Sequence, residues 1–79
     1  MRVNLKLVRV GMSMQEAVIA KWCVPRGQSF KKDEVLYEIE TEKVTQEVTA
    51  SGDGTMVEVF VAEGDTVAVG ANLCAVDLS

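Results

Sequence analysis

Shifted by 37 positions, the sequence lies on itself. Val24 meets Val61, Gly27 meets Gly64 and Leu36 meets Leu73, while Ser29 falls over Thr66, Ile39 over Val76 and Glu40 over Asp77. The identities are few. The turn segments PRGQSF at 25–30 and AEGDTV at 62–67 nevertheless coincide, together with the apolar positions that flank them. This register predicts two similar half-domains related by a pseudo-two-fold axis, within one domain spanning 1–79. Two copies are too few for a solenoid, which needs at least three repeats.

The local pattern inside each half is that of β-structure. Val3, Leu5 and Leu7 alternate with Asn4 and Lys6, and AVIAKWCV at 17–24 is rich in β-branched and aromatic residues. VLYEIE at 35–40, VTQEVTA at 44–50, TMVEVFV at 55–61 and NLCAVDL at 72–78 continue the series, with Val59 read as a core residue. PRGQS, SGDG and EGDT carry turn chemistry between them. Short strands at this spacing predict a small all-β sandwich or barrel. A helix over 33–47 is the competing reading, because Glu, Leu and Lys favour helices. Its apolar face of Val35, Leu36 and Ile39 runs into Glu42, Lys43 and Gln46, whereas period two persists on both sides of Lys43.

Composition removes several functions. A net charge of −4 lacks the basic face that nucleic acid requires. No apolar run approaches a membrane span. The absence of histidine removes Ser-His and Cys-His nucleophile pairs. With only Cys23 and Cys74, and no CxxC spacing, zinc ligation is not expected, and both cysteines read as small buried hydrophobes. The opening MRVNLKLV is too short and too alternating for a signal peptide.

Attention then falls on IETEKVTQEV at 39–48, where Glu38, Glu40, Glu42 and Glu47 surround Lys43. If 35–40 and 44–50 form a hairpin, its tip is Thr41-Glu42-Lys43-Val44. With two central residues, Tyr37 faces Val48, Ile39 faces Gln46 and Glu38 faces Glu47. The two-fold places this tip at the end opposite the termini and brings the loop RVGMSMQE at 9–16 beside it. Both features that break the repeat thus share one end. Lys43 then has three readings. It is a solvated turn lysine; or a catalytic amine; or a lysine presented to another enzyme for modification. Acidic neighbours favour the ammonium form, and at the ordinary lysine pKa of about 10.4 only roughly one amine in 2,500 is free base at neutral pH. A bare amine here is a poor nucleophile, whereas presentation needs only exposure and a rigid mount.

E-T-E-K-V at 40–44 resembles the E-T-D-K-A hairpin of lipoyl domains from 2-oxoacid dehydrogenase complexes. The resemblance covers nearly the whole chain. It includes G-M-S-M-Q-E-A at 11–17, V-I-A-K-W at 18–22, V-x-x-G at 24–27 and E-G-D-T-V-x-V-G-x-x-L at 63–73. It implies a flattened barrel or sandwich of two four-stranded antiparallel sheets with internal pseudo-two-fold symmetry. It also implies lipoic acid in amide linkage to Lys43, flanked by Glu40, Thr41, Glu42 and Val44. The implied partners are a lipoate-attaching enzyme, a thiamine-diphosphate-dependent decarboxylase, an acyltransferase core and a dihydrolipoyl dehydrogenase. The domain itself would be a non-catalytic, monomeric swinging-arm carrier, with Gly11, Met12, Ser13, Met14, Gln15 and Glu16 helping the decarboxylase to recognise it.

The sequence departs from the family pattern in having Glu42 for the usual Asp, Val44 for the usual Ala, and Pro25-Arg26 for acidic turn residues. Those flanks bear on partner choice. A biotinyl carrier shares the implied fold but typically presents Met-Lys-Met, and an unmodified binding module is the remaining alternative. The expected setting is the cytoplasm, or the mitochondrial matrix in a eukaryote.

Overall fold

The computed structural model describes residues 1–8, 15–42 and 44–79. Among them run β1 (Arg2–Lys6), β2 (Glu16–Trp22), β3 (Ser29–Phe30), β4 (Val35–Glu40), β5 (Thr45–Thr49), β6 (Gly54–Val59), β7 (Thr66–Ala68) and β8 (Asn72–Leu78). They form two four-stranded antiparallel sheets, ordered β1-β8-β6-β3 and β5-β4-β2-β7. The segment weighed as a helix is β4 and β5. The strands β3 and β7 are too short to show any alternation, which is why residue periodicity alone does not find them.

The two-fold is written in the hydrogen bonds. Gly27 N donates to Met56 O at 2.7 Å and its counterpart Gly64 N donates to Ile19 O at 2.8 Å. Asp33 N to Ala50 O matches Gly70 N to Leu7 O, both at 2.9 Å. The positive-φ residues fall into the same pairs, Gly27 (89°) with Gly64 (90°) and Asp33 (70°) with Gly70 (93°). Each occupies the third place of a four-residue turn closed by a backbone bond, as in Gln28 N to Pro25 O and Asp65 N to Ala62 O, both at 3.1 Å. That place demands a left-handed backbone, which glycine adopts freely and aspartate tolerates better than most residues.

The core lies between the sheets. Ile19, Leu36, Ile39, Met56, Leu73, Val24 and Val76 are its largest fully enclosed aliphatic side chains. Strict alternation in β4 would bury Val35, Tyr37 and Ile39, yet Leu36 is buried as well. The register against β5 slips between Val35 and Tyr37, and such a bulge turns an extra residue inward. Leu73 does the same in the other half, between Cys74 opposite Leu5 and Asn72 opposite Lys6. Val59, by contrast, is only half-buried, because β6 slips against β8 between Met56 and Glu58 and takes the expected alternation out of phase. Both cysteines are free, and Cys23 is half-exposed rather than buried. Burial pushes the Cys74 thiol up to about 11, so it is an inert hydrophobe at neutral pH. Burial, and then the neighbouring Cys74, likewise raise the hydroxyl of Tyr37, its two-fold counterpart.

One pair of equivalent positions differs between the halves in how large and small residues are shared. Phe30 in β3 stands opposite Gly54 in β6, whereas Val67 in β7 stands opposite Ala17 in β2. A large residue over a small one has been matched by a medium residue over a methyl. A Cβ at Gly54 would overlap the backbone oxygen of Asp77 and lie 3.0 Å from Phe30 Cζ. Gly54→Ala is therefore expected to destabilise the domain by about 1–3 kcal/mol. Phe30→Val, which copies the other half, relieves only the contact with Phe30 Cζ, so in a urea-unfolding double-mutant cycle the two changes together should cost less than the sum of each alone. Strict additivity of the two changes would show that they are not coupled through this overlap.

Candidate functional site

The turn between β4 and β5 carries repeat-breaking sequence, and its described residues Glu42 and Val44 are exposed. Tyr37 pairs with Val48, Glu38 with Glu47, Ile39 with Gln46 and Glu40 with Thr45. This is the register of a hairpin with two central residues. Thr41 N donates to Val44 O at 2.8 Å, and Val44 N donates to the Thr41 hydroxyl oxygen at 3.2 Å. These bonds close the turn on either side of Glu42 and position 43. Glu42 is exposed, and Val44 is 51% exposed despite its apolar side chain. Lys43 itself lies outside the described residues.

The turn sits at the end opposite the termini. Met1 N donates to Leu78 O, Ser79 N to Asp53 O, and Lys32 N to Asp53 Oδ1, so both termini gather beside the 31–34 turn. From there β4 runs away along the molecule, whose longest dimension is 34 Å. The hydrogen bonds also show what the turn corresponds to. Leu78 N donates to Met1 O at 2.8 Å, the two-fold image of Thr41 N to Val44 O. In one half Thr41 and Val44 are joined through Glu42-Lys43, and in the other Leu78 and Met1 hold the equivalent places.

Of the proposed recognition segment, Gly11, Met12, Ser13 and Met14 lie outside the described residues, while Gln15 and Glu16 are placed. Gln15 O accepts from Val69 N at 3.0 Å, and Glu16 pairs with Ala68. On the other stem, Leu7 N donates to Ala71 O at 2.9 Å. Both stems of the loop are thus fastened to the 68–71 turn. β2 then pairs Val18 with Glu40, so Gln15 and Glu16 run alongside the β4–β5 turn. The exposed Val8, Val18 and Val44 all lie toward this end.

The electrostatics are acidic. Glu40, Glu42 and Glu47 are exposed and Glu38 is half-buried. Glu38 directly faces Glu47, a like-charge pairing that costs stability, with Lys21 at the register position on its other side. Gln46 points to the mouth of a largely apolar cleft of about 550 Å³ between the edge strands β1 and β5. Its side-chain amide donates to Glu47 O at 3.1 Å. Among the described residues no group of His, Cys, Asp or Glu could hold a metal ion. The arrangement is a hydrogen-bonded turn at one end of a sheet, with Glu42 and Val44 facing solvent. Sequence reasoning named Thr41 only as a flank. Its part in closing the turn was signalled by a hydroxyl residue three positions before a backbone N–H that needs a partner.

Comparison with known proteins agrees with this geometry. A family profile described as "Biotin-requiring enzyme" (Biotin_lipoyl) matches residues 3–76. The succinyltransferase component of the 2-oxoglutarate dehydrogenase complex from Rickettsia conorii is 49% identical over 73 residues, which is 92% of this chain and 18% of that protein. The same component from Haemophilus influenzae is 42% identical over 67 residues, 85% of this chain and 16% of its own length. The chain therefore spans under a fifth of the curated relatives it matches. Among solved structures, the lipoyl domain of the 2-oxoglutarate dehydrogenase complex from Azotobacter vinelandii superposes with a TM-score of 0.83 at 35% identity, covering 95% of both chains. A single-chain, multi-domain long-chain acyl-CoA carboxylase shares the fold at a TM-score of 0.82, 18% identity, 99% of this chain and 7% of its own. The fold alone does not separate lipoyl from biotinyl carriers, but the sequence identities lie on the lipoyl side. The chain belongs to the biotin/lipoyl family, as a non-catalytic carrier domain of lipoyl type.

Proposed function

We propose that Lys43 carries lipoic acid in amide linkage, and that the chain is the swinging-arm domain of an acyltransferase in a 2-oxoglutarate dehydrogenase-type complex. The observation that carries this reading is the closed Thr41–Val44 turn at the end remote from the termini, in a chain 49% identical to such a component over 73 residues. The residues present fit the group. Glu42 and Val44 on either side of position 43 face solvent, so an appended chain there displaces no core side chain. When bound, the dithiolane supplies reversible acyl and two-electron chemistry. The protein supplies the mount: β4 and β5 hold the turn, Thr41 closes it, and the acidic residues around it keep the surface hydrated and soluble.

The partners follow from that role. A lipoate-attaching enzyme reads the turn. A thiamine-diphosphate-dependent decarboxylase, an acyltransferase core and a dihydrolipoyl dehydrogenase are visited in turn, with Gly11 to Glu16 contributing to the choice of decarboxylase. The work takes place in the cytoplasm, or in the mitochondrial matrix of a eukaryotic host. Intact-mass measurement after expression in cells supplied with both lipoate and biotin tests the reading. One lipoyl increment is expected. A biotin increment, or no increment with any competent ligase, overturns it.

A further inference from the structure

The internal two-fold supplies a control for what Thr41 does. At the terminal end, Leu78 N donates to Met1 O at 2.8 Å, and Met1 N returns a bond to Leu78 O at 2.7 Å. The donor of the second bond is the N-terminal ammonium group, which also donates to Asp77 Oδ1 at 2.9 Å. At the turn end, Thr41 N donates to Val44 O at the same 2.8 Å, but Val44 N goes to the Thr41 hydroxyl oxygen, at 3.2 Å. The hydroxyl lies 3.3 Å from Val44 O, towards which it donates. One side-chain oxygen has thus taken the place that a backbone carbonyl holds in the equivalent half. The exchange is specific to the place where two residues, Glu42 and Lys43, must be spanned.

We infer that Thr41 is a positioning residue for the modification of Lys43. Its hydroxyl holds Val44 N and so sets the width of the turn in which position 43 is offered to the attaching enzyme. The inference rests on the lipoyl-carrier reading. It assigns to Thr41 a role separate from that of Glu42 and Val44, whose exposed side chains are there to be read by partners. Thr41 acts inward, on the backbone of its own turn. A hydroxyl is required, and the methyl is not.

The test uses the whole chain and three forms: wild type, Thr41→Val, which is close in shape, and Thr41→Ser, which keeps the hydroxyl. Each is titrated with a lipoate ligase, lipoic acid and ATP, with modification followed by intact mass. Thr41→Val is expected to lower kcat/KM about tenfold, mainly in kcat, because a loosened turn misplaces the amine without removing the surface the ligase binds. Thr41→Ser is expected to stay within about twofold of wild type, one retained hydrogen bond accounting for the difference. In amide hydrogen exchange, Val44 N–H should exchange faster in Thr41→Val, while Leu78 N–H, at the terminal end, is unchanged. Wild-type rates and unchanged Val44 protection in Thr41→Val overturn the inference. So does a Thr41→Ser form as slow as Thr41→Val, or a loss that merely follows a lower folded fraction in thermal melts. Failure of the wild type to be lipoylated overturns the carrier reading itself, and this inference with it.

Discussion

Leu73→Asp is expected to leave the chain unfolded at neutral pH, as read by far-UV circular dichroism and by loss of amide dispersion in an NMR spectrum. Leu73 is completely enclosed, at 0% exposure, where the register of β1 on β8 slips and turns it into the core. Truncation of such a residue alone costs about 2–5 kcal/mol. The carboxylate adds the penalty of a buried charge with no partner, because no charged or polar residue is buried among the described residues. A domain of this size has a total stability of only about 4–12 kcal/mol at typical per-residue values. Val59→Asp is the instructive comparison. The sequence pattern marks Val59 as core, but it is half-buried, and an aspartate there reaches water. That variant should remain folded with a lowered melting temperature. If both unfold, the bulge in β6 is misplaced; if neither does, the core is.

Lys43→Ala is expected to abolish the lipoyl increment entirely while changing stability by no more than about 0.5 kcal/mol, the usual range for a surface substitution, since Glu42 and Val44 on either side are exposed. Lys43→Arg, which keeps the charge, should be equally unmodified, separating amide chemistry from electrostatics. The chain contains its own specificity control. Lys31 and Lys32 also occupy a four-residue turn, closed by Glu34 N to Lys31 O at 3.0 Å, but at the terminal end. A single increment that disappears with Lys43 would show that the attaching enzyme reads the β4–β5 turn and not any exposed lysine. Residual modification mapped to Lys31 or Lys32 would overturn that assignment.

What could be read in advance divides along physical lines. The two-fold was legible because turns constrain residue type: a left-handed backbone selects Gly27 and Gly64, and they recur at the repeat distance. The third and fourth such residues, Asp33 and Gly70, were hidden because aspartate tolerates the same backbone and so breaks the identity. The β4–β5 register was legible because a one-residue slip would have turned every apolar side chain outward. The inward turn of Leu36 and Leu73 was not, because a bulge is a local departure from period two that the pattern itself conceals. The exchange of Phe30 over Gly54 for Val67 over Ala17 requires knowing which strands pair across the edge of the sheet. The closing role of Thr41 rests on a hydrogen bond between backbone and side chain, for which sequence gives only the donor and acceptor types.

The position of the termini has a mechanical consequence. Any polypeptide continuing from Ser79 leaves the domain at the end away from the β4–β5 turn, in a body whose longest dimension is 34 Å. With a flexible segment attached there, the folded body would act as a boom on a tether. On the proposed function, its own length would add to the radius the prosthetic group sweeps, with the pivot clear of the surface a partner enzyme grips.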